Sequence, residues 1–332
     1  MKALVMTSPG EPNVLQMREL PTPTVHGHQL LVRLKAAGIN PVDTKLRARG
    51  TYFPDRMPAV LGCDGAGVVE AVGPDAQDFK VNDAVYFCNG GIGGHLGTYA
   101  EYALVDERFA APKPESLSFA AAAAVPLVLI TAWEALHDRA RLQAGQRVLI
   151  HAGAGGVGHV AIQLARLHGA KVCTTVSGRD KARFVGDLGV DYVVDYHESD
   201  FVDEVNDWSH GGVELAFDTV GGATFQRSVH CVRHYGDLVT LLQPGNDMDW
   251  KEARLRNLRI SFELMLTPMV YGLSAAQQHQ ADILRRCAAL FDEGKLRIHL
   301  AKTFPLEQAA EAHRAIEAGG MTGKLALVMD ED

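Results

Sequence analysis

The run Arg147-Val-Leu-Ile-His-Ala-Gly-Ala-Gly-Gly-Val-Gly158 is a short apolar stretch that breaks into Gly153-x-Gly155-x-x-Gly158 and continues through Val157 to Leu167 with helical spacing. A strand feeding a glycine turn and then a helix is the opening of a dinucleotide-binding βαβ unit. The first glycine makes the tight turn, the second lets the backbone approach a pyrophosphate, and the third lets the helix pack on the strand. The phosphates are met by unpaired N–H groups and the positive end of the helix dipole.

Working outward from this turn, apolar strands at 147–151, 171–176, 192–195, 213–218, 238–242 and 258–264 alternate with helical segments such as 157–167, 180–188 and 223–234. Such alternation predicts an α/β domain with a Rossmann-type, doubly wound parallel sheet covered on both faces. Upstream the texture differs. Short β segments at 29–36, 65–72, 84–88 and 99–105 are punctuated by Pro9-Gly10, Gly73-Pro74 and the glycine-rich loop from Asn89 to Gly97, which predicts an irregular barrel-like domain. Beyond residue 266 come a helix at 281–293, a strand-like 296–304, a helix at 306–318 and a strand at 324–329. Periodicity leaves open whether this tail extends the parallel sheet or returns to the first domain.

The end of the second parallel strand selects the nucleotide. An acid there, about 20 residues past the first glycine, would hold the ribose 2′-hydroxyl of NAD. Instead the chain reads Ser177-Gly178-Arg179-Asp180-Lys181. Ser177 repels no 2′-phosphate, and Arg179 and Lys181 can pair with one, so the expected cofactor is NADPH. A solvated helix start is the plainer account of the same two cations, and Asp180 reads as a capping residue.

Length and charge narrow the rest. At about 150 residues per domain, 332 residues suggest two domains. A formal charge of -8 does not favour nucleic acid or an anionic membrane. The longest apolar run, Phe119 to Ile130, is broken by Pro126 and falls short of the roughly 20 residues of a membrane helix. Pro9-Gly10 comes too early for a secretory apolar segment, and the five cysteines, 63, 88, 173, 231 and 287, are sparse and odd in number. The expected setting is the cytoplasm.

Several motifs together resemble the zinc-independent quinone oxidoreductases of the medium-chain dehydrogenase/reductase superfamily. They are Ala37-Gly38-Ile39-Asn40-Pro41-Val42-Asp43, Leu61-Gly62-Cys63-Asp64-Gly65-Ala66-Gly67, Val125-Pro126-Leu127 to Thr131-Ala132-Trp133, the glycine turn, and Thr322-Gly323-Lys324-Leu325. The resemblance spans the whole chain. It implies a chaperonin-10-like (GroES-like) β-barrel catalytic domain from residues 1–124 and 266–332, a Rossmann NADPH-binding domain at 125–265, a cleft between them, and a homodimer or homotetramer. It further implies that Asn40 and Asp43 line the cleft and that Thr131 lies by the nicotinamide ribose. Gly155, Gly156, Val157 and Gly158 would contact the pyrophosphate, and Lys181 and Tyr196 would flank the adenosine phosphate. For Asn40 a turn amide before Pro41 is an equally good local reading, and Tyr196 also reads as a half-buried surface aromatic.

Zinc-containing relatives keep ligands where this chain has Asn40, Cys63-Asp64 and Leu127, so the Cys/His set that zinc prefers is not assembled and no metal is expected. Without a Lewis acid the expected acceptors are quinones or activated alkenes, which need orientation more than polarisation. Tyr52, in Arg49-Gly50-Thr51-Tyr52-Phe53-Pro54, stands where similar enoyl-thioester reductases use a tyrosine to protonate the carbon beside the hydride acceptor. The other two roles open to it are stacking on a quinone and simple packing. An enoyl-thioester or 2-alkenal reductase is the rival enzymatic reading, with apolar lining from 263–271. A non-catalytic NADPH-binding structural or regulatory protein is the rival from another class.

Overall fold

The computed structural model describes residues 1–329. In chain order the first stretch holds β1 (Lys2–Met6), β2 (Leu15–Glu19), β3 (Gln29–Ile39), α1 (Pro41–Arg49), β4 (Ala59–Val60), β5 (Asp64–Val72), β6 (Ala84–Cys88), β7 (Tyr102–Asp106), β8 (Ala110–Pro112) and α2 (Phe119–Ala123). There follow α3 (Pro126–Trp133), β9 (Arg147–Ile150), α4 (Gly156–Leu167), β10 (Lys171–Val176), α5 (Arg179–Gly186), β11 (Tyr192–Asp195) and α6 (Phe201–Ser209). Then come β12 (Val213–Asp218), α7 (Gly222–Ser228), β13 (Val232–Thr240), α8 (Lys251–Leu255) and β14 (Arg259–Phe262). The chain ends with α9 (Thr267–Tyr271), α10 (Ser274–Asp292), β15 (Leu300–Pro305), α11 (Ala309–Glu317) and β16 (Lys324–Val328).

Two compact units result: Met1–Leu127 together with the stretch from Leu266 onward, and Val128–Met265. The first unit is built on a seven-stranded sheet in the order β15-β16-β3-β5-β6-β8, with β7 also paired to β3, and a small sheet β2-β1-β4. The C-terminal strand β16 lies antiparallel to β3, with Leu325 opposite Ile39 and Val328 opposite Ala36. That pairing answers the question that periodicity left open about the tail. Close packing forces glycine at Gly38, where a Cβ would sit 2.2 Å from the carbonyl oxygen of Ala123 in α2.

The second unit is a six-stranded parallel sheet in the order β11-β10-β9-β12-β13-β14. The order reverses between β9 and β12, so the strand that precedes the glycine turn borders the switch point where such sheets open a ligand crevice. One face is filled by Leu149, Cys173, Val194, Phe201, Val205, Phe225 and Leu238. The other is covered by α4, which buries Val160, Ala161, Ile162, Leu164 and Ala165. The expected α/β architecture with its parallel sheet is therefore present.

Three local expectations are revised. The helix expected at 223–234 stops at Ser228, because Val229 and Cys231 are drawn into the core and Val232 already pairs with Val213. The following strand begins at Val232 rather than 238; a register shift and Tyr235 at φ 64° hide it from a period-two reading. Asp180 is not the cap of α5: Gly178 holds that position at φ 85°, and Asp180, two residues on, pairs with Arg183 at 3.7 Å. No helix among the described residues is long and apolar enough to cross a membrane.

Candidate functional site

In the second unit the chain leaves β9, turns at Ala152 with φ 51°, and enters α4 at Gly156 with Gly155 as its N-cap. Gly153 N–H donates to Thr175 O at 3.0 Å and Gly155 N–H to Ala152 O at 2.9 Å. His151 is buried behind this turn between the hydroxyls of Thr175 (3.0 Å) and Ser228 (2.8 Å). The three glycines are not equivalent. A Cβ at Gly153 would lie 2.1 Å from Thr174 Oγ1, and one at Gly158 would lie 2.3 Å from Ala152 O, so the protein's own packing requires both. A Cβ at Gly155 meets only Ala152 O at 3.1 Å, and its φ of -75° suits any residue. Neither strain nor a severe clash explains glycine there, whereas a phosphate seated on the free first-turn N–H groups would come against that position. The turn therefore fits a nucleotide pyrophosphate, with Gly155, Gly156 and Val157 half-buried around it.

At the end of β10, Ser177 is half-buried and accepts a hydrogen bond at 3.0 Å from Lys181 Nζ, one helical turn on. Arg179 is exposed at the first position of α5 and pairs with no acid among the described residues. The nearby carboxylate of Asp195 is committed to the backbone, accepting from Gly178 N–H at 2.9 Å and His197 N–H at 3.1 Å. Tyr196 is half exposed beside β11, its N–H bonded to Val176 O. Thr131 is buried on α3.

The first unit holds a buried polar cluster. Asn40 caps α1 in a reciprocal box: its side chain bonds the Asp43 backbone, and Asp43 Oδ2 accepts from Asn40 N–H at 2.8 Å. Asn40 Nδ2 donates to Asp64 Oδ2 at 2.9 Å, and Asp64 Oδ1 accepts from Leu127 N–H at 2.9 Å. Lys324 Nζ donates to Ile39 O at 2.8 Å and to Asn40 Oδ1. Tyr99 donates its hydroxyl to Asp43 Oδ2 at 3.2 Å and lies 3.1 Å from His313 Nε2. Asn40, Asp43, Asp64, Lys324 and His313 are all buried. The polar atoms of Asn40 and Asp43 are engaged inside this network, through the helix cap and the Asp64 and Tyr99 partners.

Two buried carboxylates stand near one another and near the Lys324 ammonium, which shapes their titration. Burial, with Asp64 nearby, raises the Asp43 carboxyl to about 7, and burial raises Asp64 as well. Burial lowers Lys324, against the pull of both acids, and lowers His313 to about 4. Cys63 and Cys88 are buried thiols in the same neighbourhood, Cys63 Sγ being 4.0 Å from Asp43 Oδ1. Among the described residues no group of three or more His, Cys, Asp and Glu is arranged to hold a metal ion. The chemistry of the donors points the same way. At the positions where zinc relatives keep ligands, an amide, a carboxylate and a backbone N–H bond one another, and the Lys324 ammonium bonds the amide. A zinc ion does not fit this donor set.

Tyr52 lies outside the cluster, 42% exposed, its N–H bonded to Ile92 O at 3.1 Å. Partial burial, with Cys63 and Tyr271 nearby, raises its phenol above the ordinary value, so it carries its proton at neutral pH. Next to it a cavity of about 410 Å³ is lined by Phe53, Arg56, Ile92, Leu96, Met269 and Gly272. His95 is an exposed residue at its edge. Sequence reading gave Lys324, Tyr99 and His313 no role. A lysine opening an apolar strand gives no signal of burial until its partners, from residues 39 and 40, are brought to it.

The cluster has a pH signature. A folded-state Asp43 near 7, above the ordinary 3.8, stabilises the fold fully at low pH and loses that contribution as pH rises through 7. Asp43→Asn keeps an acceptor for Asn40 N–H and Tyr99 but removes the titration. Urea unfolding at pH 5 and pH 8 is expected to show the wild type losing more stability than the variant, by on the order of a few kcal/mol. Equal losses would refute the titration.

Comparison with known proteins agrees with this architecture. Residues 26–115 match the alcohol dehydrogenase GroES-like domain and residues 188–327 the zinc-binding dehydrogenase domain. Human quinone oxidoreductase is 30% identical over 337 residues, covering 99% of this chain and 98% of that protein. The structure of an alcohol dehydrogenase superfamily protein from Novosphingobium aromaticivorans is 36% identical, with TM-score 0.91, covering 99% of this chain and all of that one. A mycobacterial protein solved complexed with NADPH is 28% identical, with TM-score 0.86 and 99% of each chain covered. The GroES-like match, the parallel sheet with its glycine turn and this end-to-end likeness have one meaning: the chain belongs to the quinone oxidoreductase family of the medium-chain dehydrogenase/reductase superfamily, oxidoreductases that bind a nicotinamide cofactor.

Proposed function

We propose that the protein is a zinc-independent, NADPH-dependent reductase of quinones or activated alkenes, working in the cytoplasm. The observation that carries this reading is the Lys324–Asn40–Asp64 network, which puts a lysine ammonium among the positions that would otherwise bind zinc. With no electrophilic metal, the substrates that remain are those already electron-poor at the accepting atom.

NADPH, when bound, supplies the hydride. The chain's part is to hold and orient it. The N–H groups of Gly156, Val157 and Gly158 would meet the pyrophosphate against Gly155, with Gly153 setting the turn. Arg179 and Lys181, the latter steadied on Ser177, would pair with the 2′-phosphate; Tyr196 would lie on the adenosine side and Thr131 at the nicotinamide ribose. Asn40 and Asp43 act as positioning residues, fixing the start of α1 and the strand end before it. The two cations together are expected to favour NADPH over NADH by about 100-fold, from charge-assisted contacts of roughly 1.5 to 3 kcal/mol each before screening. Replacing both Arg179 and Lys181 by Ala should erase that preference in titrations of the two cofactors. Gly155→Ala should weaken NADPH binding at least about tenfold while leaving the melting temperature of the cofactor-free protein unchanged. An undiminished NADPH preference in the double variant would overturn the cofactor assignment.

Alkene reduction needs a proton as well as a hydride, and the protonated phenol of Tyr52 favours this second chemistry. With hydride added at one alkene carbon, Tyr52 Oη gives its proton to the neighbouring carbon and recovers one from water. Tyr52→Phe is expected to lower 2-alkenal or enoyl-thioester reduction at least about tenfold while quinone reduction stays within about twofold. Loss of both activities together, or of neither, would remove the donor role. NADPH binding without turnover of any acceptor would leave a non-catalytic binding protein.

We further propose that the protein is a homodimer or homotetramer. The edge strand β14 has an unpaired side, and Phe262 on it is 57% exposed. An open strand edge of this kind is a template for a second chain. Sedimentation should give a multiple of the 35.9 kDa chain mass, and Phe262→Lys should shift it toward the monomer. A wild type that sediments as a monomer would refute the assignment.

A further inference from the structure

The Tyr99 hydroxyl stands between two helices of the first unit. It is 3.2 Å from Asp43 Oδ2 on α1 and 3.1 Å from His313 Nε2 on α11. All three residues are fully buried, and the Tyr99 ring sets the imidazole edge-on with centroids 5.7 Å apart. One turn further along both helices, Arg47 Nη2 donates to Glu317 Oε1, and the Glu317 side chain is 37% exposed. Two polar rungs therefore join α1 to α11, an inner one through Tyr99 and an outer one that reaches solvent. The other ring nitrogen, His313 Nδ1, is buried and bonded by no described residue.

Counting hydrogens leaves this inner rung two arrangements. A phenol has one hydrogen, so it donates to one neighbour and accepts from the other. When Asp43 is a carboxylate, Tyr99 donates to it, and a neutral His313 must carry its hydrogen on Nε2 to donate to Tyr99 Oη, which leaves Nδ1 bare. When Asp43 is a carboxylic acid, its Oδ2–H donates to Tyr99 Oη, the Tyr99 hydrogen turns to Nε2, and the imidazole hydrogen is on Nδ1. The second arrangement holds one proton more than the first. Any other sets two hydrogens or two lone pairs against each other, an unmade buried hydrogen bond that costs about 1 to 3 kcal/mol.

We infer that His313, Tyr99 and Asp43 form a proton relay that records the charge of the α1 cap in the tautomer of a histidine on α11. A proton taken up at His313 Nδ1 is delivered to Asp43: the Nε2 hydrogen passes to Tyr99 Oη as the Tyr99 hydrogen passes to Asp43 Oδ2, and the imidazole is neutral before and after. Burial keeps the flanking groups uncharged, holding His313 down to about 4 and Tyr99 well above the ordinary phenol value. Asp43, raised to about 7 by burial, is then the member whose charge changes near neutrality. Around it stand Asp64 of β5, Cys63 and Cys88 at the ends of β5 and β6, and Lys324 of β16. Arg47 of α1 and Glu317 of α11 lie one turn beyond, and Glu307 and Lys302, on the neighbouring segments packed against α11, are exposed.

Nitrogen NMR of the full chain labelled with 15N-histidine reads the tautomer directly at pH 5 and pH 8. Among the 14 histidines, His313 is identified by its nuclear Overhauser effect from the edge-on ring at position 99. In the wild type, the Nε2–H form is expected at pH 8 and the Nδ1–H form at pH 5, each in about tenfold excess or more for a carboxyl near 7. Tyr99→Phe keeps the ring and removes the hydroxyl, and Asp43→Asn removes the titrating acid; each should hold one tautomer at both pH values. If one variant does not fold, the other serves as the control. A single tautomer throughout in the wild type, an imidazolium protonated on both nitrogens at pH 5, or a switch that persists in either variant would overturn the relay. The wild-type measurement alone decides the first two of these.

Discussion

An ammonium taken out of water must be met by carboxylates or carbonyls, and Lys324 is met by residues far along the chain from it. Its Nζ reaches Ile39 O and Asn40 Oδ1, 284 and more residues away, and through Asn40 it is joined to Asp64 and the Leu127 N–H. Removing any member would leave a buried charge or amide without a partner, which costs far more than an exposed ion pair gains. The constraint therefore ties β16 to β3 and β5 and fixes the start of α1 through the Asn40 cap. It also commits the side chains of Asn40 and Asp64 to one another and, through Asn40, to the lysine.

The second unit answers to a different constraint, the space around a turn. Gly153 and Gly158 are required by the protein's own packing, while at Gly155 the demand is milder, a Cβ there meeting Ala152 O at 3.1 Å.

The parallel sheet was legible because each of its strands is an apolar run of its own, and the glycine turn marks the first. Expected strands at 171–176, 192–195 and 213–218 coincide with the observed β10, β11 and β12. The failures fall where chain geometry interrupts a period: Tyr235 at positive φ splits β13, and the core claims Val229 and Cys231 from the end of a helix. The site was less legible. Asn40 and Asp43 were expected at a cleft from the resemblance alone, since spacing cannot say whether a polar side chain faces a ligand or a buried partner.

What the sequence by itself determined is everything that depends on neighbours a few residues apart: the strand, turn and helix around Gly153 to Gly158, the serine and cations at 177–181, and the proline and acid that make Asn40 a cap. The tertiary structure alone decided where the C-terminal strand returns, which groups surround Lys324, and that segments around Phe53 and Met269 line one cavity. The reason is physical. Local patterns record backbone preference and periodic burial, whereas the charge state of Asp43 or the partner of a buried ammonium is set by groups hundreds of residues away, through distances that exist only once the chain has folded.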